Sequence, residues 1–184
     1  GGSGGDNPGD LAADRLAALG RARLDLLVLT HLDDDHFNGV AQLFQRLDIA
    51  QVALPRVQTH PQQLALLEDL AQREGAELTF VEEDALTYPL GRAQLTLLPP
   101  MGQGTSNEEG LFALCSTQGF DALITGDAGA PTERELVDTK DVSDVDMLVV
   151  GHHGGAGSTT LELIAEAAPD YAVVSCGWNS YGHP

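Results

Sequence analysis

The strongest constraint on this chain is where its apolar runs end. Short runs of β-forming character alternate with amphipathic helical segments. Several of the runs stop in loops crowded with histidine, aspartate and glycine. Leu24–Thr30 leads into HLDDDHFNG, Ala122–Thr125 into GDAG, Val145–Val150 into GHHGGAGS, and Tyr171–Ser175 into CGWNSYGHP. Such a pattern predicts a mixed α/β fold. Loops at strand ends from distant parts of such a chain converge on one site.

The remaining elements follow from periodicity and stop signals. Helices are predicted at Leu11–Leu19, near Val40–Leu47, from Pro61 to Gly75, from Pro131 to about Val137, and near Thr160–Ala167. Strands are predicted at Ala50–Leu54, Glu77–Val81, Ala93–Leu98 and Leu111–Ser116, with a turn at Gln118-Gly119. Residues 1–9, GGSGGDNPG, read as a flexible loop or linker. Residues 1–184 read as a single domain, since no internal repeat or linker interrupts them.

Charge narrows the partners. The chain carries 9 basic and 28 acidic residues, for a net charge of −19, and Lys140 is its only lysine. That field repels long polyanions and argues against tight metal-free binding of nucleic acid. No apolar run approaches the length of a membrane span. Cys115 and Cys176 lack a CxxC spacing and sit in or beside apolar runs; they read as two buried thiols, with a single disulfide left open.

THLDDDH, residues 30–36, sets two imidazoles and three carboxylates at the end of a buried strand. Charge there requires partners or metal. Imidazole with carboxylate suits zinc, manganese or iron. In an extended loop His31, Asp33 and Asp35 share one direction, and Asn38-Gly39 supplies the turn that brings His36 in. Asp34 points away. Asp127 alone, in TGD, is a weak signal, because turn aspartates are common. The adjacent His152 and His153 between glycines are stronger. Five of the six histidines fall in these loops; His60 stands apart and is assigned no role.

Taken together, these motifs resemble the metallo-β-lactamase superfamily, whose hallmark is HxHxDH followed by an Asp and a His at later strand ends. His31-x-Asp33-x-Asp35-His36 replaces the second histidine with aspartate. With TGD at 125–127, GHHG at 151–154 and NSYGHP at 179–184, the chain looks like the hydrolase domain of ComEC-type DNA-uptake proteins. The resemblance implies an αββα sandwich, here lacking terminal strands if the chain is trimmed at both ends. It implies two divalent metal ions, zinc or manganese. His31 and Asp33 would hold one. Asp35, His36 and His153 would hold the other, and Asp127 would bridge them. His152 would meet a substrate oxygen. Asn107 stands roughly where ComEC-type proteins carry asparagine. The wider superfamily places one more histidine before the bridging Asp; none occurs between His60 and His152. An oxygen-rich first site favours manganese over zinc.

The activity implied is a phosphodiesterase or nuclease acting on DNA, single-stranded DNA above all, through a metal-activated hydroxide. Asp35 and His152 are the catalytic candidates. Asn107, Ser158, Asn179 and His183 are substrate-binding candidates. Gly154-Gly155 and Ser158-Thr159 offer donors to a phosphate, although Ser158 reads equally well as a helix cap. Two alternatives stay open: a metallo-hydrolase of another ester class (lactonase, thioesterase, phosphorylcholine esterase) and a degenerate, non-catalytic domain. A ComEC-type context would fuse the chain to membrane segments and put it outside the cytoplasmic membrane. Oligomeric state is not legible.

Overall fold

The computed structural model describes residues 7–139 and 142–177. They form two compact units, 1–80 and 81–184.

The first unit opens with helix α1, Pro8–Ala18. It starts three residues earlier than the apolar pattern suggests. Asn7 caps it by accepting from the Gly9 amide at 2.8 Å, and Pro8 occupies a position where a missing N–H costs nothing. The predicted strand Leu24–Thr30 is broken. It forms β1, Arg23–Leu24, and β2, Leu27–Val28, with a bend at Asp25. Each fragment takes a different parallel partner. β1 pairs with β3, Asp48–Ile49, and β2 pairs with β4, Gln51–Pro55. Strand β5, Glu77–Val81, completes a three-stranded sheet ordered β2-β4-β5.

Between β2 and β3 lie a single helical turn, α2, Asp34–Phe37, and helix α3, Val40–Arg46. Helix α4, Pro61–Glu74, ends as predicted at Gly75, which takes the left-handed conformation at φ 76°. The core of the unit is aliphatic and aromatic, with Leu29, Leu32, Phe37, Phe44, Val52, Leu54 and Leu67 all buried. Gly9 and Gly39 let α1 lie directly against the start of α3. A Cβ on Gly9 would sit 2.1 Å from the Gly39 carbonyl oxygen. Arg46, from α3, reaches Asp10 and Asp14 of α1 at 3.1 and 2.5 Å, and these carboxylates raise its pKa.

The second unit is built on a six-stranded sheet ordered β11-β10-β9-β8-β7-β6. Strands β6, Leu86–Leu90, β7, Ala93–Leu98, β8, Phe112–Thr117, and β9, Phe120–Ile124, form an antiparallel meander. Strand β6 escapes sequence reading because Pro89 argues against a strand; it is tolerated because β6 lies on the sheet edge. Two-residue turns join β6 to β7 and β8 to β9, with Gly91 and Gly119 at φ 69° and 88°.

Then the direction of pairing changes. Helix α5, Ala130–Thr139, and helix α6, Leu161–Ala167, are crossovers. They make β10, Met147–Val149, parallel to β9, and β11, Tyr171–Val173, parallel to β10. Leu98, Phe112, Leu123, Leu136, Leu148 and Leu163 pack the core of this unit. Both cysteines are free thiols; Cys115 is half-buried and Cys176 is exposed, contrary to the expectation of two buried thiols. Among the described residues no helix is long and apolar enough to cross a membrane.

Candidate metal centre

In the first unit the site groups emerge where parallel strands end. Val28 of β2 is registered with Ala53 of β4, so the chain leaving each strand departs from the same sheet edge. THLDDDH leaves β2, and the loop to His60 leaves β4. His31 is fully buried, and Thr30 Oγ1 lies 3.1 Å from its Nδ1. Its Nε2 stands 3.8 Å from Asp33 Oδ2. The His36 Nε2 stands 3.7 Å from Asp35 Oδ2. The His31 and His36 rings approach to 4.0 Å between centroids.

The backbone here differs from the extended loop expected. Asp33 is extended, at φ −62° and ψ 151°, and the next residues turn into α2. His36 and Phe37 both donate their amides to the Asp33 carbonyl at 2.9 Å. Carboxylates at positions 34 and 35 favour this, since the start of a helical turn attracts negative charge. The helical turn, rather than alternation along a strand, therefore sets Asp35 and His36. Asp34 lies apart, as expected, and accepts from Gln63 at 3.2 Å.

His60 was assigned nothing from sequence, yet its Nε2 lies 2.6 Å from Asp33 Oδ1. It holds a left-handed backbone at φ 56° immediately before α4. The signal that finds it is the strand-end rule applied to β4, a parallel neighbour of β2.

In the second unit the same geometry recurs. Ile124 of β9 is registered with Val149 of β10, so TGD and GHHG leave adjacent parallel strands. Asp127 is buried. Its Oδ2 is 3.7 Å from His153 Nε2 and 4.0 Å from His152 Nε2. The His153 Nδ1 is 2.7 Å from the Ser175 carbonyl oxygen, just past β11. A carbonyl only accepts, so this contact places a proton on Nδ1 and leaves Nε2 as the atom that would face a metal. His152 and His153 occupy left-handed backbone at φ 48° and 53°.

Three His–carboxylate pairs therefore stand at 3.7–3.8 Å. That is too long for a hydrogen bond. It is within twice a metal–ligand bond of roughly 2.0–2.2 Å. The donor chemistry and spacing in each unit fit a divalent cation.

The substrate-binding candidates fare differently. Ser158 Oγ is 2.8 and 2.9 Å from the Gly151 and Gly155 carbonyl oxygens and acts as a brace within the loop. The cap of α6 is Thr160, not Ser158. The Ser158 amide bonds to the Gly155 carbonyl, and the Gly155 amide to the His152 carbonyl. The Thr159 amide is taken by Glu133 at 2.5 Å. The phosphate donors expected at 155, 158 and 159 are thus engaged internally. Asn107 is half-buried in a turn, where its carbonyl accepts from Gly110 at 3.4 Å. Asn179 and His183 lie outside the described residues.

A family model described as the metallo-beta-lactamase superfamily matches residues 2–178. The chain belongs to the metallo-β-lactamase superfamily. Its resemblance to ComEC-type proteins is matched by curated relatives. It is 30% identical over 173 residues to ComE operon protein 3 of Bacillus subtilis, covering 92% of this chain and 22% of the relative. It is 28% identical over 171 residues to competence protein ComA of Neisseria gonorrhoeae, with the same two shares of 92% and 22%. The chain thus spans about a fifth of these relatives. Among solved structures, the diiron β-hydroxylase CmlA from Streptomyces venezuelae superposes with a TM-score of 0.53 at 18% identity, covering 82% of this chain and 35% of that one. That likeness shows the metallo-β-lactamase fold alone. The protein is thus a metallo-β-lactamase-superfamily member whose relatives include a competence protein.

Proposed function

We propose that this chain is a metal-dependent phosphodiesterase that cleaves DNA, with single strands or short ends as its substrate. The observation that carries the metal dependence is the repeated His–carboxylate spacing of 3.7–3.8 Å at the strand-end loops of both units. A competence protein among the relatives points to DNA as the phosphodiester.

On this reading, residues 1–184 work as one domain around two divalent metals, zinc or manganese. His31 and Asp33 hold one. Asp35, His36 and His153 hold the other, and Asp127 serves both. When bound, such metals supply Lewis acidity toward a phosphoryl oxygen and a nucleophile at neutral pH. The protein's own groups do the rest. Asp35, with its side chain 44% exposed, orients the attacking water and takes its proton. His152, with its side chain 39% exposed, reaches the leaving oxygen or the developing charge. Asn107, Asn179 and His183 remain the groups proposed to meet substrate.

The net charge of −19 shapes the substrate preference. Two divalent cations offset about four of those charges, and only locally. A long duplex meets the remaining field, whereas a short or single strand meets mainly the site. Tight DNA affinity would come from segments beyond this chain, in a membrane-linked protein facing outward.

The test is cleavage of end-labelled single-stranded DNA and of bis(p-nitrophenyl) phosphate with manganese or zinc, beside a lactone, a thioester and phosphorylcholine. Metal-dependent cleavage of both phosphodiesters, with single strands cut faster than duplex, is expected. Turnover of only another ester, or of nothing, overturns the assignment.

A further inference from the structure

We propose that Glu133 is a positioning residue, an internal carboxylate that holds the His152–His153 turn in its metal-binding form. Glu133 lies on α5 and is fully buried. Its Oε1 accepts from the Thr159 amide at 2.5 Å and its Oε2 from the Thr160 amide at 2.8 Å. Charge-assisted bonds of this kind are among the strongest a protein makes. A buried carboxylate is held only where such donors meet it.

The link from Glu133 to the histidines is short. Thr159, fixed in left-handed backbone at φ 53°, presents its Oγ1 to the Gly151 amide at 3.0 Å. Ser158 grips the Gly151 carbonyl from the same segment. Gly151 itself sits so close that an added Cβ would lie 3.0 Å from Thr125 Oγ1 and 3.5 Å from Glu133 Oε1. The next two residues are His152 and His153, both in left-handed backbone. Non-glycine residues keep that conformation only where their surroundings over-determine it. Glu133 supplies that constraint. Two amides that could have received a substrate anion receive the protein's own carboxylate, and the loop is ordered before any ligand arrives.

The effect on the turn stands on this geometry alone; the effect on metal binding rests on the function proposed above. The experiment compares E133Q with L136A. Leu136 is a fully buried neighbour on the same helix, so L136A controls for general loss of stability. Gln keeps one acceptor and turns the other position into a donor facing an amide. Hydrogen exchange of the metal-free protein is measured across 151–160, and manganese affinity is measured by competition with a chelating dye.

E133Q is expected to speed exchange at 151–155 and to weaken manganese binding about 10–100-fold. L136A is expected to lower Tm without either change. If E133Q does not fold, T159A cuts the next link and is expected to loosen 151–155 in the same way. Exchange at 151–155 that stays as in wild type, or is matched by L136A, overturns the inference. So does a wild type that binds manganese measurably but no more tightly than E133Q. A wild type that binds no metal, with 151–155 still loosened in E133Q, overturns the proposed function and leaves the positioning role standing.

Discussion

Replacing Asp127 with asparagine is expected to lower kcat for a phosphodiester by about 10³-fold or more. Asp127 is buried at the end of β9, and its carboxylate is the group that both histidines of the GHHG turn approach. Asparagine keeps the volume and the loop but removes the charge that would hold a divalent ion. Metal assistance supplies several kcal/mol of transition-state stabilisation, and about 4 kcal/mol corresponds to roughly 10³ in rate. The check is kcat on bis(p-nitrophenyl) phosphate with saturating manganese, beside circular dichroism to confirm the fold. Activity within tenfold of wild type would remove Asp127 from the site.

Chelation should act on stability as well as on activity. Ligands that bind only the folded state stabilise it by mass action, about 2.7 kcal/mol per site at a hundredfold excess over Kd. For a chain of this size that corresponds to roughly 5–11 °C in Tm. Dialysis against EDTA is expected to abolish phosphodiester cleavage and lower Tm by about that amount per site. Manganese or zinc should restore both, and magnesium less well if imidazole donors matter. Calorimetry with and without metal reads the shift. An unchanged Tm would mean that the His–carboxylate pairs hold no ion of consequence.

Much of the candidate site is legible because its chemistry sits in loops that leave apolar runs. HLDDDH, GDAG and GHHGG carry side chains too costly to place there without a use, and in the structure each lies at the end of a parallel strand. Helix α4 and strands β5 and β7 fall within the bounds that periodicity, proline and glycine suggested.

Two of the failures come from long-range pairing and two from local patterns. His60 meets Asp33 only because β4 pairs in parallel with β2, and no local pattern carries that pairing. Glu133 is one of 28 acidic residues, on a helix whose pattern suggests a solvated face; only the crossover of α6 supplies its amide partners. The α2 turn was missed because three aspartates in a row suggested an extended loop. The apolar run 24–30 reads as one strand, but it bends at Asp25 and its two pieces pair with different neighbours.

The central proposal is that donors from three separate loops serve one pair of cations. Metal content after equilibration and gel filtration tests it most directly, on wild type and on single variants from each loop. About two ions per chain are predicted for wild type and about one for His31→Ala and for His153→Ala, while Asp127→Ala should weaken the binding of both. Fewer than about one ion in wild type, or an Asp127→Ala protein that keeps both at unchanged affinity, would contradict it.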